Sequence, residues 1–350
     1  MGEERSFMKK FYKRLALLIV FVLAISSAVI YFTVDINTIK NLTIFKPESL
    51  ALAIFFVGVG LFLDGTRLMR LVHISHENIK LSEAVQVVFG NYFLALLTPG
   101  MTGGAVAQLM FLKHAGVPVG KATVVVLVRT IVSILFLMLC CPFIFMHDEH
   151  ILPGLSNAHL LVITLTIVLV IVLVIVGIKK NFFNHLAVYI ARKLPSKYRR
   201  AFIKVFRDTH QATKLLASSP LQMMIAFAES GLSLMCIYAV VPCLFFGLGV
   251  TDTDWYQVMG RMIFLNMLLY FMPTPGGSGI AEGGFVWLFS DTVPAGTVGI
   301  VAVSWRLIAE YLPFLIGFYY TVKVFGTDFL SRREMKEAKM ANAIEIEKKK

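Results

Sequence analysis

Seven ionisable side chains lie inside stretches otherwise apolar enough for lipid: Asp64, Arg67, Arg129, Glu229, Glu282, Arg306 and Glu310. A charge at the centre of a membrane helix costs roughly 3 kcal/mol unless it is paired or wetted. Each of the seven is therefore half of a neutralising pair or part of a polar path. Arg129 and Arg306 stand out, because each follows a Pro-Gly element by about thirty residues. Residues 97–108 read Leu-Thr-Pro-Gly-Met-Thr-Gly-Gly-Ala-Val-Ala-Gln, and residues 273–282 read Pro-Thr-Pro-Gly-Gly-Ser-Gly-Ile-Ala-Glu. A guanidinium suits phosphate, whose oxygens it contacts two at a time. Gly103, Gly104, Gly277 and Gly279 suit the start of a half-helix, where free N–H groups and the positive dipole end favour an anion. Arg306 and Glu310 are four residues apart on one helix face. Either they neutralise each other, or Arg306 faces a cavity with Glu310 or Glu282 holding its guanidinium in place. The chemistry is that of phosphate or carboxylate recognition.

The elements that must position these groups belong to a membrane protein. The 350 residues are 57% hydrophobic and 15% charged, far from a soluble domain. Apolar runs long enough to cross a bilayer occur at roughly 15–34, 50–72, 122–146, 155–178, 220–249 and 296–322. The Pro-Gly elements fall between them, at 84–112 and 256–290. Freed backbone groups survive at membrane depth only inside protein or along a polar cavity. Each arm is short for a crossing, so a re-entrant helical hairpin is expected, with two full spans per element as the alternative.

Basic residues set the orientation. Residues 1–14 carry five Lys or Arg, residues 179–214 carry ten against Asp208 alone, and the tail from Lys323 carries eight against five acids. The connections at 147–154 and 251–255 carry acids and no Lys or Arg. The positive-inside rule puts both termini and the central basic segment in the cytoplasm. Two spans, a hairpin and a third span make an odd number, so the second half runs upside down relative to the first. The predicted architecture is an all-α polytopic membrane protein of about six transmembrane helices plus two re-entrant hairpins in an inverted-topology repeat. Its parts are a basic N-terminus (1–14), one repeat (15–146), a second repeat (147–322) and a charged tail (323–350). Segment 179–216 mixes basic and aromatic residues and reads as amphipathic helix on the inner leaflet, or as a solvated basic loop.

Other chemistry finds little footing. A net charge of +12 is concentrated on cytoplasmic flanks, which argues against nucleic acid. His147, Asp148, Glu149 and His150 form a short cluster better read as a solvated turn than a metal site. Asp64 reads as a local ion pair with Arg67 and Arg70 near the cytoplasmic boundary. Cys140, Cys141, Cys236 and Cys243 fall in apolar spans and read as small core residues. No P-loop is present, so ATP hydrolysis on this chain is not expected. No catalytic residue, metal or cofactor is predicted.

The paired motifs resemble the lysylphosphatidylglycerol synthase transmembrane-region family, also called flippase-like domain proteins. The first signature is Thr98-Pro99, Thr102-Gly103-Gly104 and Gln108; the second is Pro273 to Gly279, then Glu282, Trp305-Arg306 and Tyr311. Ala105 and Ile280 depart from the usual pattern. The resemblance covers about residues 10–325 and adds Thr102, Gln108, Pro275, Gly276 and Ser278 to the candidate site. It implies movement of phosphatidylglycerol, or its aminoacylated derivative, between leaflets of the cell membrane. Whether a separate lipid synthase is a partner is left open, as is a homodimer. Bifunctional members add a cytosolic aminoacyltransferase domain, for which the short tail after residue 322 has no room. Lysyl transfer by this chain is therefore not expected. Two other activities are carried forward: secondary transport of a small anion, coupled to protons through Glu282 or Glu229, and a membrane-embedded lipid-modifying enzyme.

Overall fold

The computed structural model describes residues 45–148, 219–250 and 253–325, with isolated positions between 151 and 203. The expected spans at 15–34 and 155–178, the basic segment 179–216, the first 14 residues and nearly all of the tail lie outside the described residues.

The described chain is helical, without a strand. Its elements are α1 (Pro47–Ile74), α2 (Leu81–Leu97), α3 (Thr102–His114), α4 (Val119–His147), α5 (Pro220–Tyr238), α6 (Val240–Gly247), α7 (Trp255–Leu269), α8 (Ile280–Phe289) and α9 (Val298–Arg306). A π-helical turn, Leu307–Tyr311, follows α9, and the helix runs on to Phe325. Among the described residues, four helical stretches are long and apolar enough to cross a membrane: α1, α4, α5 with α6 (Pro220–Gly247), and Val298–Phe325. They match four of the six expected spans to within about three residues.

Proline punctuates these helices where the sequence places it. Pro47 opens α1, where its missing N–H is not needed, with Glu48 in the first turn facing the positive dipole end. Pro242 cannot donate to the carbonyl four residues back, and the break between α5 and α6 falls at Ala239. Pro313 likewise denies Ala309 a partner, and the helix widens into its π-turn just before it.

Contacts between helix ends fix the directions. Lys121 Nζ bonds Glu77 at 2.6 Å, joining the start of α4 to the end of α1. Lys46 N–H donates to Gly247 O at 3.3 Å, joining the start of α1 to the end of α6. His147 meets Asp254 at 2.5 Å, joining the end of α4 to the start of α7. Phe111 of α3 packs edge-on against Phe325. The α2–α3 hairpin thus rises from the end that holds Ile74 and Phe325, and the α7–α8 hairpin descends from the end that holds Pro47 and His147. The tips meet: Pro99 and Pro275 form an isolated antiparallel bridge.

Two hydrophobic clusters fill the two ends. One gathers Leu68, Leu71, Phe111, Leu112 and Val125 around the first hairpin. The other gathers Phe245, Met262, Phe285, Phe289 and Trp305 around the second. Large apolar side chains such as Phe55, Phe62, Phe143 and Leu315 point outward, as expected where lipid replaces water.

Candidate functional site: a polar belt between the hairpin tips

Between the two apolar clusters, the long helices contribute a set of buried polar residues. On α1 these are Asp64 and Arg67, on α4 Arg129 and Ser133, on α5 Ser230 and Ser233, and on α9 Arg306. The belt divides into two charged clusters.

The first joins α1, α4 and α5. Asp64 accepts from both Arg67 and Arg129, the latter through a close Nη2 contact and through Nε at 3.3 Å. Arg67 Nη1 also donates to Ser133 Oγ at 2.8 Å and to Ser230 Oγ, while its Nε finds no partner. Two arginines share one aspartate, so the cluster carries one surplus positive charge. Asp64 is therefore no boundary ion pair with Arg70. Arg70 instead grips Glu229 through Nε at 3.0 Å and Nη2 at 2.9 Å, and Asp64 reaches Arg129 where α1 packs against α4.

The second cluster ties the second hairpin to α9. Arg306, 1% exposed, donates from Nε to Glu282 Oε1 at 3.2 Å, from Nη1 to Glu310, and from Nη2 to Gly276 O at 3.0 Å. Glu282 Oε2 in turn accepts the Gly279 N–H at 2.8 Å. The faces of Trp305 and Tyr311 flank the guanidinium, 6.0 and 5.5 Å from their ring centroids. One arginine here serves two glutamates, leaving one surplus negative charge. Of the two readings weighed for Arg306 from sequence, the neutralising pair with Glu310 is present, with Glu282 as a second carboxylate partner; at 1% exposure the guanidinium is packed among these groups.

Tyr92 of α2 lies within electrostatic range of Asp64 and Arg129 of the first cluster and of Glu310 of the second. Tyr270, just past α7, lies near Arg67, Arg129 and Asp64.

The hairpin residues are mostly packing and backbone geometry. A Cβ on Gly103 would strike the Leu94 carbonyl, and one on Gly104 would strike the Asn91 side chain, so both let α2 and α3 approach closely. Gly276, Gly277 and Gly279 have φ of 57, 67 and 82°, and Gly276 packs against Leu96 at the end of α2. The half-helix starts are internally satisfied: Gly103 N–H donates to Thr98 Oγ1 at 2.7 Å, and Ala281 N–H to Gly277 O at 2.9 Å. Thr102 is exposed and bonds Pro99 O at 3.0 Å. Gln108 donates to Asn91 Oδ1 at 2.7 Å, leaving its own Oε1 unpartnered, and the buried Ser278 Oγ is also unpartnered. Pro275 is buried at the bridge.

Sequence reasoning passed over Arg261, which joins Asp148 at 2.7 Å, the Leu288 carbonyl at 2.5 Å and Thr292 Oγ1 at 3.2 Å. Its one signal was a lone arginine inside the second Pro-Gly element. Tyr92 and Tyr270 gave no signal, since tyrosine is unremarkable in an apolar run.

Among the described residues, four long apolar helices, two helical hairpins broken at Pro-Gly and a belt of buried charge define a polytopic integral membrane protein. The chain belongs to the lysylphosphatidylglycerol synthase TM region family, whose model matches residues 19–317. It is also 25% identical over 252 residues to a UPF0104 membrane protein of Archaeoglobus fulgidus, covering 68% of this chain and 75% of that protein.

Proposed function

We propose that this protein is a lipid translocase of the cell membrane that moves a phospholipid headgroup between leaflets, phosphatidylglycerol or its aminoacylated derivative being the first candidates. The observation that carries it is the bridge between Pro99 and Pro275, because it brings two helix breaks together beside a belt of buried charge. Broken helices meeting near the bilayer midplane are the usual construction of a transport site. The hairpins are then re-entrant, arms of 17 and 13 residues for one and 15 and 10 for the other being short for a crossing. Both termini lie in the cytoplasm, following the basic residues.

The surplus positive charge of Asp64, Arg67 and Arg129 is where a phosphate is drawn, with Arg129 exchanging Asp64 for the headgroup as the lipid passes. Arg306 acts from behind, holding the second hairpin through Gly276 and Glu282. The acyl tails stay in lipid. The activity in this reading is movement of the lipid rather than lysyl transfer.

The same surplus charge would also suit a small soluble anion, which makes secondary anion transport the second reading. The test is translocation of fluorescent phosphatidylglycerol and of its lysyl derivative in proteoliposomes, for wild type and Arg129→Gln, with phosphate uptake measured alongside. Lipid movement that is lost in a folded Arg129→Gln supports the translocase. Phosphate uptake without lipid movement replaces it with the anion transporter.

A further inference from the structure

The surplus negative charge of the second cluster calls for a neutralising partner, and the described contacts supply none beyond Arg306. Burying an unpaired carboxylate is costly enough that such a group ordinarily takes up a proton instead. The two glutamates are not equivalent. Glu282 accepts on both oxygens, from Arg306 Nε and from the Gly279 N–H, so each of its oxygens is already engaged as an acceptor. Glu310 accepts from Arg306 through Oε2, with no other donor to it among the described residues. It is also the more open, its side chain 13% exposed against 3% for Glu282. It sits in the π-helical turn set by Pro313, and such turns are frequent at functional sites.

The groups that face Glu310 are few. Arg306 and Tyr311 come from its own helix and Glu282 from α8, while Tyr92 of α2 and Tyr238 of α5 lie within electrostatic range. Arg306 is the sole cation in contact with it among the described residues.

We propose that Glu310 is a proton-binding site that couples transport to a pH gradient. A carboxylate oxygen of Glu310 takes one proton from water, the cluster goes from one surplus negative charge to none, and the ion pair with Arg306 is broken. Arg306 is left with Glu282 and the Gly276 carbonyl, so the proton acts on the residue that clips the tip of the second hairpin. Glu229, by contrast, is held by Arg70 through Nε and Nη2 and has no such role. The inference rests on the transport reading for its purpose but on the cluster's own geometry for its site.

Difference infrared spectroscopy on the purified full chain across a pH series tests the site directly. The difference between wild type and Glu310→Gln is expected to contain a protonated-carboxyl band that grows as pH falls and is still present in Glu282→Gln. Glu310→Asp, which keeps the carboxyl, is expected to shift the band, and stands in if the glutamine variant does not fold. In proteoliposomes, an imposed pH gradient is expected to change the wild-type lipid flux severalfold and to leave Glu310→Gln flux unchanged. A difference spectrum of wild type against Glu310→Gln with no such band overturns the proposal, as does wild-type lipid flux that ignores the gradient. A Glu310-dependent band in protein that moves no lipid upholds the protonation site and sinks the translocase instead.

Discussion

Arg306 Nη2 donates to the carbonyl of Gly276 at 3.0 Å, across 30 positions of chain. That bond places a charge from the last long helix on the backbone turn of the second hairpin. A glycine with φ of 57° exposes the carbonyl, and Glu282 and Glu310 aim the guanidinium at it. Arg306→Ala leaves two carboxylates buried around a missing cation, so a loss of about 3–5 kcal/mol is expected. Arg306→Lys keeps the charge but lacks the planar fork that reaches three acceptors, and should lose about 1–3 kcal/mol. Unfolding curves in detergent check the order; a lysine variant as unstable as alanine would contradict the fork geometry.

Asp64 and Arg129 are bonded to each other yet should respond unequally to removal. Asp64→Asn strands two buried guanidiniums, whereas Arg129→Gln leaves Asp64 paired with Arg67 and the cluster neutral. The expected losses are about 3–5 kcal/mol for the first and about 1–2 kcal/mol for the second. Equal losses would mean that the surplus charge is balanced by something other than Asp64.

Close approach of α2 and α3 makes Gly103→Ala a sharper lesion than its single methyl suggests. The new Cβ would fall on the Leu94 carbonyl and 2.6 Å from Thr98 Oγ1, so about 1–3 kcal/mol should be lost to overpacking. Gly58→Ala is the control, since nothing lies within 4 Å of its added Cβ. Thermal melting of both variants in one detergent separates packing from helix propensity.

The bridge of Pro99 and Pro275 offers a direct look at hairpin contact. Antiparallel bridge partners stand about 4.5–5.5 Å apart at Cα, within reach of a disulfide. With Cys140, Cys141, Cys236 and Cys243 replaced, Pro99→Cys with Pro275→Cys should cross-link under mild oxidation. If the tips part during transport, oxidation stops lipid flux and reduction restores it; full flux in cross-linked protein would assign the movement elsewhere.

At the acidic end of the bundle, His147 and Asp254 give a pH dependence of known sign. The hydrogen bond from the His147 ring, helped by the Tyr256 N–H, holds the Asp254 carboxyl below the usual carboxylate range. A lowered carboxyl stabilises fully above its unfolded value and ceases to as pH falls through the acid range. Wild type and His147→Ala should therefore melt apart near neutrality and converge in acid. A gap that widens as pH falls would contradict the pair.

Sequence by itself determined the membrane class, four of the long helices, both hairpins and the family. Those follow from local properties: apolar run length, Pro-Gly breaks in two matching places, and the side on which lysine and arginine gather. It also marked Arg129, Glu282, Arg306 and Glu310, because charge within an apolar run is visible in one dimension. The partner of each charge was decided by tertiary structure alone. Asp64 could be matched to Arg67 by spacing, but only the packing of α1 against α4 brings it to Arg129, 65 positions away. Gly103 and Gly104 looked like anion-binding helix starts until the hairpin closed on them. Arg261 and Tyr92 matter through what surrounds them, and surroundings are a property of the folded chain.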